Sequence, residues 1–285
     1  MLDDGFKRKF RDIPFAVYER EKHPVGQEGR GFTLLHHHKE FEIIAVLGGI
    51  AEFTVNQKEF TVSDGDLVFI PPYFTHNARF ESAGEFSHVC ICFDLCLLHD
   101  NQLQTSLESG KNTIAAVVSK KEPMAAGIQN NVLSAASAWK RQRKGWQMEV
   151  CGNLLLLFGQ LMAEGKISGN QRFDREKDFS YKVIEFIGRH YTRPVTSKDA
   201  AAALFLNNSY FCRVFKASFG RTFGAYLCSY RIEKSKEALR DKMLSVSEAA
   251  ELAGFQSVSY YIKMFKNAYG CSPGEYKKRF EMFRK

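Results

Sequence analysis

The densest chemistry in the chain is a group of three histidines and one glutamate: His36-x-His38-x3-Glu42, with His76 further on. Imidazole and carboxylate donors suit Fe, Mn, Ni or Zn. They equally suit an organic ligand that needs a few convergent hydrogen-bonding groups. His36, His38 and Glu42 share a parity, so a regular strand would turn all three to one face and His37 to the other. His76 would join them from a later strand. The bland alternative is histidines that serve structure alone. On the residues alone the three readings stay open, and an organic-ligand pocket would take Tyr73 as a further lining residue. Phe41 and Phe69 would either wall that pocket or only pack the scaffold. No Ser/His/Asp or Cys/His grouping, Walker loop or dinucleotide fingerprint is visible. No catalytic residue is therefore predicted and no cofactor is expected.

These side chains need a strand scaffold. Residues from about 12 to 98 supply it, with β-branched and aromatic runs broken by Gly-Gly, Asn-Gln and Asp-Gly. Several short strands with such close turn signals predict a β-barrel or sandwich. From about residue 112 the stretches "TIAAVVSKKE", "MAAGIQNNVLSAASAWKRQ" and "WQMEVCGNLLLLFGQLMAEG" read as helices. Leu154, Leu157, Phe158, Leu161 and Met162 form an apolar stripe that would serve either a second copy of the chain or the barrel. Residues 165–178 are polar and Gly-containing and read as a linker. Everything after them is helical in pattern. The expected class is α+β and multidomain: residues 1–164, the linker, then residues 179–285.

The net charge of +8 is unevenly placed. Residues 180–285 hold 19 Lys+Arg against 9 Asp+Glu, a net of +10. The rest of the chain holds 21 against 23, a net of −2. Such asymmetry suggests a polyanion-binding domain beside a near-neutral one. Seven cysteines without a Cys-x-x-Cys pair read as reduced thiols, with Cys90 and Cys92 alternating along one strand. No signal peptide or membrane-length apolar run is visible, so a cytoplasmic protein is expected.

The basic region contains a repeat. Phe205–Tyr226 and Phe255–Tyr276 are identical at 8 of 22 positions at a constant offset of 50. In the second copy Tyr261, Met264, Phe265, Ala268 and Tyr269 fall on one helical face. Phe211, Val214, Phe215, Ser218 and Phe219 do so in the first. The opposite faces carry Ser259, Ile262, Lys263 and Lys266, and Ser209, Cys212, Arg213 and Lys216. A short Ala-rich helix precedes each copy, with N-cap candidates Thr196 or Ser197 and Ser245 or Ser247. A small-residue helix, a tight turn and a helix with one polar face make a helix-turn-helix pattern. The two motifs are expected at about 197–219 and 246–268.

On these residues, Val195–Phe280 resembles the DNA-binding domain of the AraC/XylS regulators, most specifically over Ser245–Lys278. Tyr230–Leu239 resembles the family's linker helix between its two motifs. The resemblance implies base contacts from Ser209, Cys212 and Arg213 in one helix and Val258, Ser259, Ile262 and Lys263 in the other. Lys216 and Lys266, a turn later, are expected on phosphates, as are Asn207, Asn208 and Ser257. The first motif has Leu204 and Phe205 where the second has Gly254, so its turn is expected to differ in shape.

The spacing His36-x-His38-x3-Glu42-x6-Gly49, with Gly65-x5-Pro71 and His76, resembles the two motifs of the cupin barrel. Tyr73 replaces a turn glycine of that pattern. In metal-dependent cupins the same four positions hold the ion. AraC/XylS proteins use the barrel, usually without metal, to sense small molecules such as sugars. The resemblance implies a transcription regulator controlled by a small molecule, a homodimer, and RNA polymerase as partner if it activates. The alternative is a metal-dependent cupin enzyme tethered to a DNA-binding domain.

Overall fold

The computed structural model describes residues 13–20, 31–80, 86–169, 179–240 and 244–281. The chain divides into two compact units, residues 1–23 with 36–177 and residues 24–35 with 178–285. No helix among the described residues is long and apolar enough to cross a membrane.

Among the described residues, the longer strands of the first unit are β1 (Phe15–Arg20), β2 (Phe41–Gly48), β3 (Ile50–Val55), β4 (Lys58–Ser63), β5 (Leu67–Ile70), β6 (His76–Phe80) and β7 (Ser87–Phe93). All pair antiparallel. β7 lies between β1 and β2, and β2 also pairs with β5. β3 lies between β4 and β6. Asn56 and Gln57 join β3 to β4 with both φ values positive, 47° and 65°, as a two-residue hairpin turn of matching twist requires.

Period-2 alternation sorts β2 into two faces. Ile44 and Val46 join Phe53, Val55, Val62, Ala78, Cys90 and Cys92 in a cluster formed between the two sheets. Phe41, Ile43 and Ala45 face the other way, onto α2 (Ala125–Arg141) and α3 (Trp146–Ala163), where Ile128, Val132, Leu154, Leu157 and Phe158 complete a second cluster. A short helix α1 (Asn101–Glu108) also joins that core through Leu103 and Leu107. Phe41 and Phe69 are therefore scaffold packing and do not wall the barrel.

Two expectations change here, and one open choice is decided. "TIAAVVSKKE" forms no helix. Thr113–Ile114 (β8) and Val117–Val118 (β9) are strands, β9 pairing with β5. Ile167–Ser168 (β10) pairs with β8, so the expected linker begins inside this unit, and its residues 170–178 lie outside the described ones. Leu154, Leu157, Phe158 and Leu161 pack into the core, leaving only Met162 of that stripe exposed.

The second unit holds two helix-turn-helix motifs on a shared helix. After α4 (Phe179–His190) come α5 (Ser197–Ala203) and α6 (Asn208–Phe219). α7 (Phe223–Arg240) leads to α8 (Val246–Leu252), α9 (Val258–Tyr269) and α10 (Pro273–Glu281). Tyr226, Leu227 and Tyr230 of α7 belong to the core of the first motif, and Cys228, Ile232 and Leu239 to that of the second. The resemblance to a linker helix thus covers the C-terminal half of one continuous helix. Arg231 adds a clamp: its Nε donates to the Tyr191 carbonyl at 2.7 Å and its Nη2 to that of Arg193 at 2.8 Å. Leu34 and Leu35 pack against the first core, and the Tyr226 hydroxyl donates to the Leu35 carbonyl.

Candidate functional site

Capping fixes where each recognition helix is presented. Thr196 and Ser245 are the N-caps of α5 and α8, and each closes a reciprocal box with Asp199 or Glu248. Asn207 and Ser257 cap α6 and α9, accepting from the backbone N–H of Ser209 and Tyr260. Gly220 and Gly270 end the two helices in matching left-handed conformations, φ 68° and 69°.

The same aromatic positions hold both helices down. Phe211, Phe215 and Phe219 are buried under α6, and Tyr261 and Phe265 under α9. Ser218 and Ala268, expected on that inner face, are exposed, so the buried stripe is narrower than its spacing suggested. Outward stand Ser209, Cys212, Arg213 and Lys216 on α6, and Val258, Ser259, Ile262, Lys263 and Lys266 on α9, all exposed. Asn207 and Ser257 are exposed beside them and Asn208 is half-buried. Tyr210 and Tyr260, absent from the sequence-based set, are also exposed in the first turn of each helix. Their shared position in the repeat could have found them. The Arg213 guanidinium lies 5.4 Å from the centre of the Tyr210 ring, within cation–π reach.

The barrel brings His36, His38, Glu42 and His76 together by a route other than strand parity. His36 makes an isolated antiparallel bridge to His76, and His38 lies in irregular backbone just before a bend at Lys39 and Glu40 that leads into β2. His37 is buried, not outward, because the bend breaks the alternation. Tyr73 has φ 67°, the left-handed geometry of the glycine it replaces, and its backbone N–H donates to the His38 carbonyl at 2.7 Å. The Nδ1–H of His38 donates to the Glu40 carbonyl at 3.0 Å, and that of His76 to the Phe74 carbonyl at 2.9 Å. His38 Nε2 lies 2.9 Å from Glu42 Oε2, and His76 Nε2 lies 3.2 Å from the same oxygen, outside hydrogen-bonding geometry.

Two thiols complete the cluster. Cys92 is the direct cross-strand partner of Glu42, and Cys90 that of Ile44. The Cys90 thiol donates to Glu42 Oε1 at 2.9 Å, and the two sulfurs are 3.8 Å apart. Burial works to raise the Glu42 carboxyl, but the His38 hydrogen bond and the close approach of the His76 and His38 rings hold it well below the usual range. Burial likewise opposes charge on His38, yet the Glu42 bond and the Glu42 and Glu40 charges leave it raised. Burial pushes the Cys92 thiol up to about 11. The sequence shows Cys90 and Cys92 on one strand face; only the register of β2 against β7 sets them beside Glu42.

Comparison with known proteins agrees with the two-domain organisation. The family described as AraC-like ligand binding domain matches residues 23–158, and that described as Helix-turn-helix domain matches residues 200–279. The uncharacterized HTH-type transcriptional regulator YdeC of Bacillus subtilis is 26% identical over 272 residues, covering 94% of this chain and 92% of that protein. The Msm operon regulatory protein of Streptococcus mutans is 23% identical over 240 residues, 83% of each chain. A structure of ToxT from Vibrio cholerae shares the fold, with TM-score 0.56 at 14% identity over 93% of this chain and 98% of that one. Another ToxT structure, holding an unsaturated fatty acid, gives TM-score 0.52 at 16% identity over 94% and 96%. With a barrel of the one family and two helix-turn-helix motifs of the other, the chain belongs to the AraC-type DNA-binding transcription regulators.

Proposed function

We propose that α6 and α9 read one DNA duplex together under the control of a small molecule in the barrel. Ser209, Cys212 and Arg213 contact base edges from α6, and Val258, Ser259, Ile262 and Lys263 from α9. Arg213 suits bidentate contact with guanine. Lys216 and Lys266 meet phosphates, with Asn207, Asn208 and Ser257 at the helix N-termini. The carrying observation is that both outward faces are exposed, carry Arg213 with Lys216 and Lys263 with Lys266, and are held by equivalent buried aromatics.

His36, His38, Glu42, His76 and the Tyr73 backbone form the effector site. That ToxT, which shares this fold, is solved with an unsaturated fatty acid bound supports a small-molecule effector here. The effector must bind one arrangement of the protein better than another, or DNA binding does not shift. In this reading the chain is cytoplasmic and not an enzyme. It acts as a homodimer on paired sites and contacts RNA polymerase if it activates. The exposed Met148, Leu155, Leu156 and Met162 of α3 offer apolar surface for a second copy.

Fluorescence anisotropy of the full chain on promoter fragments at several salt concentrations tests the DNA reading. Affinity that falls steeply with salt and differs between sequences supports it. Affinity indifferent to both overturns it.

A further inference from the structure

The exposed tyrosines of the two recognition helices are used differently, which bears on how each motif reads bases; the inference rests on the base contact assigned to Arg213 above. Tyr210 and Tyr260 hold the same place in the repeat and are 48% and 51% exposed. Arg213 and Lys263 follow them by three residues, one turn along the same face. Long helical side chains lean toward the N-terminus, so each cation falls over the turn that its tyrosine occupies. In α6 the Arg213 guanidinium lies over the Tyr210 ring, 5.4 Å from its centre. In α9 Lys263 makes no such contact among the described residues. The Tyr260 ring lies instead 6.3 Å from that of Phe255, and Cys228 of α7 beside its phenol pushes that phenol up.

The ring at 210 is well placed to hold its neighbour. Phe211 is fully buried, and the Asn207 side chain accepts from the Ser209 N–H at 2.8 Å. The Tyr210 backbone is thus fixed from both sides. An arginine side chain carries large rotamer entropy, which a bidentate base contact must freeze. A carboxylate partner would hold the guanidinium but occupy the donors that guanine needs. A ring attracts the cation through its face and uses up no acceptor-directed N–H. Tyr210 therefore orders the guanidinium before DNA arrives and leaves its donors for a base edge. Lysine is a point charge with three rotatable donors, for which such ordering gains little.

We infer that Tyr210 is a positioning residue that holds Arg213 in its reading orientation, and that the second motif reads without such a device.

The test uses the full chain and the duplex that it enriches from a randomised pool, with every single-base substitution of that site measured by fluorescence anisotropy. Tyr210→Leu and Tyr210→Met remove the ring, Tyr210→Phe keeps it, and circular dichroism identifies the variants that fold. Arg213→Ala relaxes discrimination at one base pair. The ring-free variants are expected to relax that same pair by about two- to five-fold, the worth of an exposed cation–π contact, while Tyr210→Phe preserves it. In the Arg213→Ala background, removing the ring has no further effect on discrimination. Ring-free variants that keep full discrimination, relax a different pair or weaken all sequences alike overturn the positioning role and leave Arg213 as the reader. Additive effects of the two changes also overturn it, because Tyr210 would then contact DNA on its own account. Tyr260→Leu leaves discrimination unchanged at the pair that Lys263→Ala relaxes, and a matching loss there sinks the contrast between the motifs. A site preference untouched by Arg213→Ala overturns the base contact and the inference together. A full chain that enriches no sequence removes the regulator reading on which both stand.

Discussion

Phe205 and Gly254 make the same left-handed backbone turn, at φ 58° and 83°, from positions one residue out of step in the repeat. In each motif the next N–H closes back onto the short helix: Leu206 to the Ala201 carbonyl at 2.8 Å, Phe255 to that of Ala250 at 2.9 Å. Yet α6 and α9 begin at 208 and 258. The first turn is one residue shorter, and the recognition helices keep the offset of 50. A motif without glycine therefore keeps the register of its reading face by moving the left-handed residue along one position.

Gly254 has a second constraint. A Cβ there would lie 2.5 Å from the Tyr191 carbonyl oxygen and 2.8 Å from the Thr192 Cα, both backbone atoms. Gly254→Ala is expected to cost about 2 kcal/mol or more, combining left-handed strain with that clash. Phe205 is 97% exposed and packs little, so Phe205→Gly is expected to stabilise by up to about 1 kcal/mol. Urea unfolding of both variants checks the pair, and equal effects of the same sign would show that the two turns are not equivalent.

The capping boxes predict acid sensitivity in the helical unit. Hydrogen bonds from the Thr196 hydroxyl and N–H hold Asp199 below its ordinary 3.8, and Ser245 does the same for Glu248 below 4.5. A folded-state pKa lowered in this way contributes stability above the unfolded value, and that stability is lost as pH falls. Thermal stability should therefore be flat near neutrality and decline below about pH 4.5. Asp199→Asn with Glu248→Gln should decline less, and an unchanged acid slope would remove the carboxylates from the account. At neutral pH, Ser245→Ala should cost about 1 kcal/mol.

Much of the helical unit was legible because its signals are local. The 3.6-residue period of Phe211/Phe215 and Tyr261/Phe265 sets both reading faces, and Thr196 and Ser245 announce their helices. The barrel was legible in outline and misleading in detail. Alternation placed His37 outward, but residues 37–40 are not a strand. The alanines of "TIAAVVSKKE" suggest helix, whereas Val117 and Val118 pair with Val68 and Leu67. Pairing by a distant strand overrides local propensity in so short a segment. Cys92 reaches Glu42 through strand register, which the sequence alone does not supply.

Arg213 and Lys216 should separate reading from holding. Arg213→Ala is expected to weaken a preferred site by about 1–3 kcal/mol and to relax discrimination at one base pair. Lys216→Ala should weaken all sequences alike and reduce the salt slope by about 1. Anisotropy on a panel of single-base substitutions distinguishes them. If Arg213→Ala leaves the site preference untouched, its helix face is misassigned.

Ser235 and Tyr261 lock α9 to α7 by a buried hydrogen bond. The Tyr261 hydroxyl donates to Ser235 Oγ at 3.0 Å, and Ser235 donates onward to the Ile232 carbonyl at 2.7 Å. Burial pushes the Tyr261 phenol up to about 12, so it remains a donor throughout the accessible pH range. Tyr261→Phe removes the donor and leaves Ser235 bonded to Ile232, so the expected cost is about 1 kcal/mol. Ser235→Ala leaves the phenol hydroxyl buried without its acceptor, at about 1–3 kcal/mol. The double variant should cost less than the two singles together, because the second change removes the group that the first left unsatisfied. A strictly additive cycle in urea unfolding would mean that the two hydroxyls do not interact, and that α9 is held by its aromatic packing alone.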